Sequence, residues 1–283
     1  MCGTRPSSIL IPTRGRPNYL TVTLASVMPQ ARAQDAEVLV VSDGEDAGTA
    51  GVAAAHGAGL ISLERPRGLN AARNAGVAAA AGELIVFIDD DIEAQPGWLE
   101  AFMRAAGEHA DEDLFGGPIL ARLEGGGPRS CGREDAPITT LDGGPDDRAI
   151  EFVWGANMAI RRRALEEIGG FDETIQGRGD EEEWERRYKS AGGRVRYVAR
   201  AGVVHRRTAA DATVRSLSLA AYALGRTARR NDVRKGGGPT LPAELRTLAG
   251  CVWHTGRRRC ANGIVMAAHS LGRVREAVAE ARS

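Results

Sequence analysis

Three consecutive aspartates, Asp89, Asp90 and Asp91, follow the apolar run Leu84 to Ile88 without a break. Carboxylates are hard oxygen ligands, and Mg²⁺ or Mn²⁺ commonly takes one or two of them while bridging substrate phosphates. A divalent cation would also relieve the repulsion among three like charges. The same acids could instead be solvated at the start of the helix that Pro96 opens, where negative charge is favoured. Other polar groups also follow apolar runs: Thr13 and Arg14 after "SSILIP", and Asp43 after "VLVVS". A second acidic group, Asp180 to Glu183, opens a helical pattern, and His205 ends the run "GVVH".

The elements that must position these groups alternate along the first half. Strands are expected at "SSILIPT", "AEVLVVSD", "GLISLE" and "ELIVFIDDD". Helices are expected at "NYLTVTLASVMPQA", "AGTAGVAAAHG", "LNAARNAGVAAAAG" and "PGWLEAFMRAAGEH". Repeated βα units imply an α/β fold with a mainly parallel central sheet covered on both faces. In such a sheet ligands bind outside the carboxyl ends of the strands, which is where Thr13, Arg14, Asp43 and the aspartate triplet fall.

After Leu114 the pattern changes. "DLFGGPILARL" reads as one strand and residues 124–148 as a long loop rich in Gly, Pro and Asp, the kind that is usually functional or disordered. "IEFVWGANMAIRR" reads as two short strands, "RALEEIGG" and "DEEEWERRYKSAGG" as helices, and "RVRYVARAGVVH" as a hairpin or strand pair. From Asp211 onward the chain reads as helical, broken by the linker "RKGGGPTLP". The expected organisation is a catalytic domain over 1–208, with a nucleotide-binding half to about 113 and an acceptor half from about 114, and a C-terminal helical extension over 209–283.

Lysine plus arginine and aspartate plus glutamate each number 37 in 283 residues, so the formal net charge is zero. Nucleic-acid binding normally requires a basic domain or stripe, and none is expected here. Cys2, Cys131, Cys251 and Cys260 are far apart in sequence and contain no C-x-x-C pair, which argues for isolated thiols in a reducing compartment over a metal cluster or a disulfide framework. The apolar run near the N-terminus is too short for a signal peptide. No window approaches the ~20 apolar residues of a membrane span. The expected location is cytoplasmic, with peripheral association at the inner face of the membrane open because "GRTARRNDVRK" and "HTGRRRCANGIV" are basic and amphipathic.

The ordered set "ILIPTRGRPNYL", "VLVVSDGEDAGTA", "RGLNAARNAG", "IVFIDDDIEAQPGWL", "WGANMAIRRRALEEIGGFDE", "GRGDEEEWERR" and "VVHRRT" resembles the family 2 glycosyltransferases over about residues 8–230. The resemblance implies the A-type glycosyltransferase fold, a nucleotide-diphosphate-sugar donor, a divalent metal (Mn²⁺ or Mg²⁺) and an inverting single displacement. It puts Pro12, Thr13 and Arg14 at the nucleotide. It makes Asp43 the acceptor for the nucleobase, which favours a UDP or dTDP sugar because uracil and thymine carry an N3–H that cytosine lacks; Ser42 replaces a second acid usual at that turn. Arg73 and Asn74 match a helix-borne pair near the nucleotide. Asp91 is implied as metal ligand, Asp89 and Asp90 as contacts to the ribose or to the ion's waters, and His205 as completing the metal's coordination, with Asp89 as a further ligand. Trp154 and Asn157 fall in the segment that shapes the sugar and acceptor pocket. The acid that deprotonates the acceptor hydroxyl maps to Asp180 or Glu181. Trp184 and Arg187, three and six residues on, select Glu181, whereas anchoring on Arg186 selects Asp180.

A glycan, a lipid-linked molecule or a small molecule is the expected acceptor. A phosphatase using the aspartate cluster fits less well, because Glu93 stands where that class needs threonine. A nicotinamide dehydrogenase is disfavoured by the absence of G-x-G-x-x-G after the first strand. A degenerate sugar-nucleotide-binding or scaffold protein without turnover is the non-enzymatic alternative.

Overall fold

The computed structural model describes residues 5–132, 137–177 and 179–281. The first half is a run of βα units: β1 Arg5–Thr13, α1 Pro17–Ala33, β2 Glu37–Ser42, α2 Ala47–His56, β3 Gly59–Ser62, α3 Leu69–Ala79 and β4 Gly82–Ile88. A short strand β5, Ile92–Ala94, then precedes α4, Trp98–Glu108. The second half contains β6 Leu114–Gly116, β7 Ile119–Leu123, β8 Arg148–Ile150, β9 Asn157–Arg161, α5 Arg162–Ile168, α6 Asp180–Ser190, β10 Val195–Tyr197 and β11 Val203–Arg207. Three helices follow: α7 Val214–Arg234, α8 Leu241–Arg258 and α9 Asn262–Glu280.

The main sheet has the order β3-β2-β1-β4-β9-β6-β10-β8, and β5-β11-β7 form a second, small sheet. β3, β2, β1 and β4 are parallel, with Thr13 beside Ser42 and Leu10 beside Phe87, so their carboxyl ends share one edge. β9 runs antiparallel to β4 and sets Asn157 beside Ile88 at that edge. The central strands are apolar on both faces because both are covered. Ile9, Ile11, Val86 and Ile88 pack with Leu20, Leu24, Trp98 and Phe102 of α1 and α4. Leu10, Ile85 and Phe87 pack on the other face with Leu165, Phe171, Trp184 and Tyr188.

Several elements differ from the sequence expectation. The strand expected at 113–123 is two strands, because Gly117 and Pro118 interrupt it and Ile119 turns to a bridge with Leu141. The pair expected at 194–205 is no hairpin: β10 joins β6 and β8 in the large sheet, while β11 pairs with β5. Pro96 does not open α4; Gly97, in the left-handed conformation at φ 79°, is the N-cap.

The chain divides into two compact units. One comprises residues 1–120, 140–176 and 180–205; the other comprises 121–139, 177–179 and 206–283. The second unit therefore takes up part of the loop expected at 124–148, together with the C-terminal helices. In it, Arg226 and Arg230 pair with Glu276, Arg229 with Glu280, and Arg273 with Glu244 and Asp232. The basic segment "GRTARRNDVRK" is thus largely engaged in holding α7, α8 and α9 together. Among the described residues no helix is long and apolar enough to cross a membrane.

Candidate active site

The aspartate triplet is the turn between β4 and β5. α1 holds it from below with one polar stripe: the Thr23 hydroxyl meets the carbonyls of Asp90 and Ile92 at 2.7 Å, Ser26 Oγ accepts from Ala94 N at 3.0 Å, and Gln30 donates to the Gln95 carbonyl at 3.0 Å. Spaced three and four apart, these residues share a helix face. In the sequence this face shows only helical spacing.

The cation set among the acids is Arg16, which the sequence reading did not single out. Its guanidinium donates to both Asp90 oxygens, Nε to Oδ2 at 3.1 Å, and Nη1 reaches Asp91 Oδ2 at 2.9 Å. Pro17 at the first position of α1 makes Arg16 the N-cap residue, and this fixes the arginine beside the strand end. Thr13 Oγ1 donates to Asp90 Oδ2 at 2.5 Å. Asp90 is thereby fully buried and committed to these partners. Burial raises its carboxyl to about 6 against the pull of Arg16. Burial, and next the repulsion of Asp91, also raise Asp89. Pro12 lies buried in β1, whereas Arg14 is exposed.

His205 reaches the same place from the far end of the first compact unit. β11 pairs with β5 so that His205 stands beside Ile92, one residue beyond Asp91. Its Nε2 lies 3.3 Å from Asp91 Oδ1, with both side chains buried. Two ligands in adjacent positions of an octahedral cation, each bonded at ~2.1 Å, are about 3 Å apart. Two further carboxylates flank the pair. The separation and the oxygen-rich donor set therefore fit a divalent cation held by Asp91 and His205 with Asp89 close by.

Asp43, buried at the end of β2, accepts from the main-chain N–H groups of Arg67 at 2.6 Å and Gly68 at 3.1 Å. Gly68 is the N-cap of α3 at φ 102°, a conformation that side-chain-bearing residues rarely adopt. Asp43 thus fixes the entry to α3, and lone pairs remain on its carboxylate, which has about four acceptor sites.

The second acidic group belongs to α6. An aromatic row holds this helix on the sheet: Phe87 meets Phe171 edge-on at 5.5 Å, Phe171 packs on Trp184, and Trp184 stacks on Tyr188 at 5.4 Å. Trp184 Nε1 donates to the Gly169 carbonyl at 2.8 Å, and Arg187 Nη2 to that of Gly170 at 2.6 Å. Asp180 and Glu181 at the start of α6 are both buried, unlike acids at a solvated helix end.

Arg73 connects the two acidic groups. It is buried in α3 and lies 5.4 Å over the Phe171 ring, and its Nη1 pairs with Asp180 Oδ2 at 2.7 Å. Glu181 Oε2 is farther away, at 4.0 Å. Arg73 also feels the charge of Asp89. Gly155 makes room for it, since a Cβ there would overlap the guanidinium, and the Gly155 N–H donates to Glu181 Oε1 at 3.4 Å. The two neighbouring carboxyls are driven apart. Burial is the largest influence on Asp180 and opposes its charge, but Arg73 together with hydrogen bonds from Glu181 and main-chain N–H groups outweighs it and the pKa falls; burial, and next the repulsion of Asp180, push Glu181 well above its ordinary value. Gly155 and Arg16 lie inside the stretches "WGANMAIRRRALEEIGGFDE" and "ILIPTRGRPNYL", but nothing in their local spacing pairs them with these acids.

Not every residue read from the sequence comes to this pocket. Asn74 binds the main chain of Phe171 in both directions at 2.9 Å and Glu173 at 3.0 Å, so its amide braces the loop before α6. Asn157 is fully buried; it accepts from Trp98 Nε1 at 2.8 Å and donates to the Ala201 and Pro118 carbonyls. It joins α4 to the strand junction. Trp154 is half-buried, meets Phe152 at 5.1 Å and donates to the Thr140 carbonyl at 3.2 Å.

A mainly parallel sheet with carboxylates at its strand carboxyl ends, backed by a buried acid pair, is the architecture of the A-type glycosyltransferases. The family model for glycosyl transferase family 2 matches residues 8–169, more than half of the chain, and the chain belongs to this family. It is 32% identical over 147 residues to the pre-mycofactocin glycosyltransferase of Mycobacterium tuberculosis, covering 49% of this chain and 30% of that protein. It is 29% identical over 244 residues to the O-antigen biosynthesis protein RfbC of Myxococcus xanthus, covering 78% of this chain and 19% of that protein. The chain thus spans less than a third of the length of these relatives. Among solved structures it resembles S. aureus TarS residues 1–349 in complex with UDP-GlcNAc, with TM-score 0.58, 20% identity and coverage of 81% of this chain and 66% of that one. GalNAc-T7 with UDP, GalNAc and Mn²⁺ gives TM-score 0.58 at 18% identity, covering 80% of this chain and 48% of that chain. These two likenesses are likenesses of fold.

Proposed function

We propose that this protein transfers a glycosyl group from a UDP or dTDP sugar to an acceptor hydroxyl with inversion at the anomeric carbon. The observation that carries this reading is the 3.3 Å approach of His205 Nε2 to Asp91 Oδ1 at the carboxyl edge of the sheet. Asp91 and His205 would hold a divalent cation, Mn²⁺ or Mg²⁺, with Asp89 beside them. When bound, it supplies neutralisation of the charge that develops on the departing diphosphate. Asp43 accepts the imino proton of the nucleobase, and Thr13 and Arg14 line the strand end next to it. Arg73 offers a buried Nε–H that has no hydrogen-bond partner among the described residues.

Glu181 takes the proton of the acceptor hydroxyl. Of the two carboxyls Glu181 is the better proton acceptor, because burial and the charge of Asp180 push its pKa upward while that of Asp180 is lowered. The acceptor oxygen forms its bond to the anomeric carbon as the bond from that carbon to the diphosphate oxygen breaks, on the opposite face. Asp180 orients Arg73.

On α8, Val252 and Trp253 are exposed, at 59% and 71%, and Arg257, Arg258 and Arg259 are exposed just beyond. Apolar and cationic groups together suit an anionic membrane surface, and a lipid-linked acceptor would fit such a placement.

The test is a thermal-shift and donor-hydrolysis screen of nucleotide sugars with and without Mn²⁺. A ligand at a hundred times its Kd stabilises by ~2.7 kcal/mol. We expect UDP or dTDP sugars to raise Tm and to be hydrolysed only with the cation present, both effects being lost in Asp91→Asn. Full activity in excess EDTA would refute the metal assignment.

A further inference from the structure

We infer that Cys131, His254 and Cys260 form a binding site for a borderline-soft divalent cation of the Zn²⁺ type, separate from the oxygen-rich edge described above. The sequence suggested isolated thiols, but within the second compact unit the fold gathers these three residues. Their ligand atoms all lie within 4.8 Å of one another, and Cys131 Sγ is 3.5 Å from His254 Nε2. On a tetrahedral Zn²⁺, with Zn–S ~2.3 Å and Zn–N ~2.0–2.1 Å, a sulfur and a nitrogen ligand stand about 3.5–3.6 Å apart. The observed pair already has that separation, and the third atom stands at most about 1.3 Å beyond it.

Each ligand arrives on a different piece of backbone that other bonds hold in place. His254 sits near the end of α8. Arg259 closes that helix in the left-handed conformation, φ 49° and ψ 40°, and the Cys260 N–H returns to the Thr255 carbonyl at 3.2 Å. This turn brings Cys260, 1% exposed, back beside the last turns of α8. The loop carrying Cys131 is tied to the same corner, because the Arg129 carbonyl accepts from Asn262 N at 3.1 Å and from Cys260 Sγ at 3.8 Å.

Two thiolates and an imidazole select Zn²⁺ over Mg²⁺ or Mn²⁺, which prefer oxygen. Binding would release the two thiol protons and leave a neutral complex, two thiolate charges balancing the cation. Cys131 is exposed, so solvent reaches the site and water would complete the coordination. The effect would be to staple the segment around Arg129–Cys131 to the α8–α9 corner.

Co²⁺ titrated into the reduced, metal-stripped full chain tests this directly, because thiolate ligation gives a sulfur-to-cobalt charge-transfer band in the near ultraviolet that carboxylate ligation does not. We expect one equivalent to develop that band, Zn²⁺ to displace it, and the band to persist in Asp91→Asn, which makes the result independent of the proposed transferase activity. Loss of a ligand should cost more than the ~10–100-fold typical of outer-shell partners. Cys131→Ser, on an exposed loop, should therefore weaken Zn²⁺ binding on the order of 100-fold or more, while Cys251→Ser should bind as wild type. No charge-transfer band, unchanged affinity in Cys131→Ser, or a Cys131–Cys260 disulfide found by non-reducing peptide mapping in zinc-supplied protein would each overturn the assignment.

Discussion

The sharpest consequence of the α6 geometry is that two adjacent acids should fail in different ways when neutralised. Glu181 is isosteric with glutamine, and Glu181→Gln keeps the acceptor that Gly155 N–H uses at 3.4 Å. It removes a carboxyl whose charged form is disfavoured by burial and by Asp180, so the fold should be unharmed and Tm equal or higher. The rate should fall by ~10²–10⁴, the usual cost of losing a general base, or about 2.7–5.4 kcal/mol of barrier. Asp180→Asn instead removes the charge that Arg73 meets at 2.7 Å while the guanidinium stays 2% exposed. Breaking a buried pair costs about 3–5 kcal/mol, and Glu181 at 4.0 Å recovers part of this. A drop of roughly 5–10 °C in Tm is then expected for a domain of this size. The assay is UDP release from the donor sugar with Mn²⁺, with calorimetry of UDP binding and a thermal melt of each variant. Wild-type turnover in Glu181→Gln, or a melt for Asp180→Asn that coincides with wild type, refutes the division of roles.

Two further outcomes follow from other buried acids. UDP should bind more tightly than CDP, and the preference should vanish in Asp43→Asn; equal affinities in the wild-type protein would mean that Asp43 serves only to fix Arg67 and Gly68. Burial, opposed by the Val153 N–H, raises Glu185 from its ordinary 4.5 to about 8. Between those values the folded chain keeps a proton that the unfolded chain releases, so stability should fall as pH rises, by ~1.4 kcal/mol per unit at most. Glu185→Gln, which preserves the bond to Val153, should flatten that slope between pH 5 and 8 and be the more stable form at pH 8. Parallel denaturation profiles for the two proteins would exclude Glu185 as its source.

The sequence by itself determined the parallel βα half and the edge on which chemistry collects. Strands buried on both faces must be continuously apolar, and "LIVFI" therefore announced both a strand and the point where its polar residues emerge. It also determined that Asp89 to Asp91 and Asp43, which follow apolar runs onto the ligand-binding edge, and Asp180 to Glu181, at the start of a helical pattern, were the groups to watch. What it left open was which charge answers which. Arg16 reaches the triplet through the turn before α1, and His205 reaches Asp91 only because β11 pairs with β5. Arg73 takes Asp180 because α3 and α6 pack on the same face of the sheet. Asn74 and Asn157, which have the same polar character as binding residues, are occupied by main-chain groups and by the side chains of Glu173 and Trp98, which become neighbours only after folding. Cys131, His254 and Cys260 are the extreme case: their spacing carries no pattern, since the ligands are joined by a loop and a helix corner. A local sequence reports which side chains emerge from an element. Long-range packing decides which of them meet, because side chains more than a few residues apart are brought together by strand pairing and helix docking and by no local preference of their own.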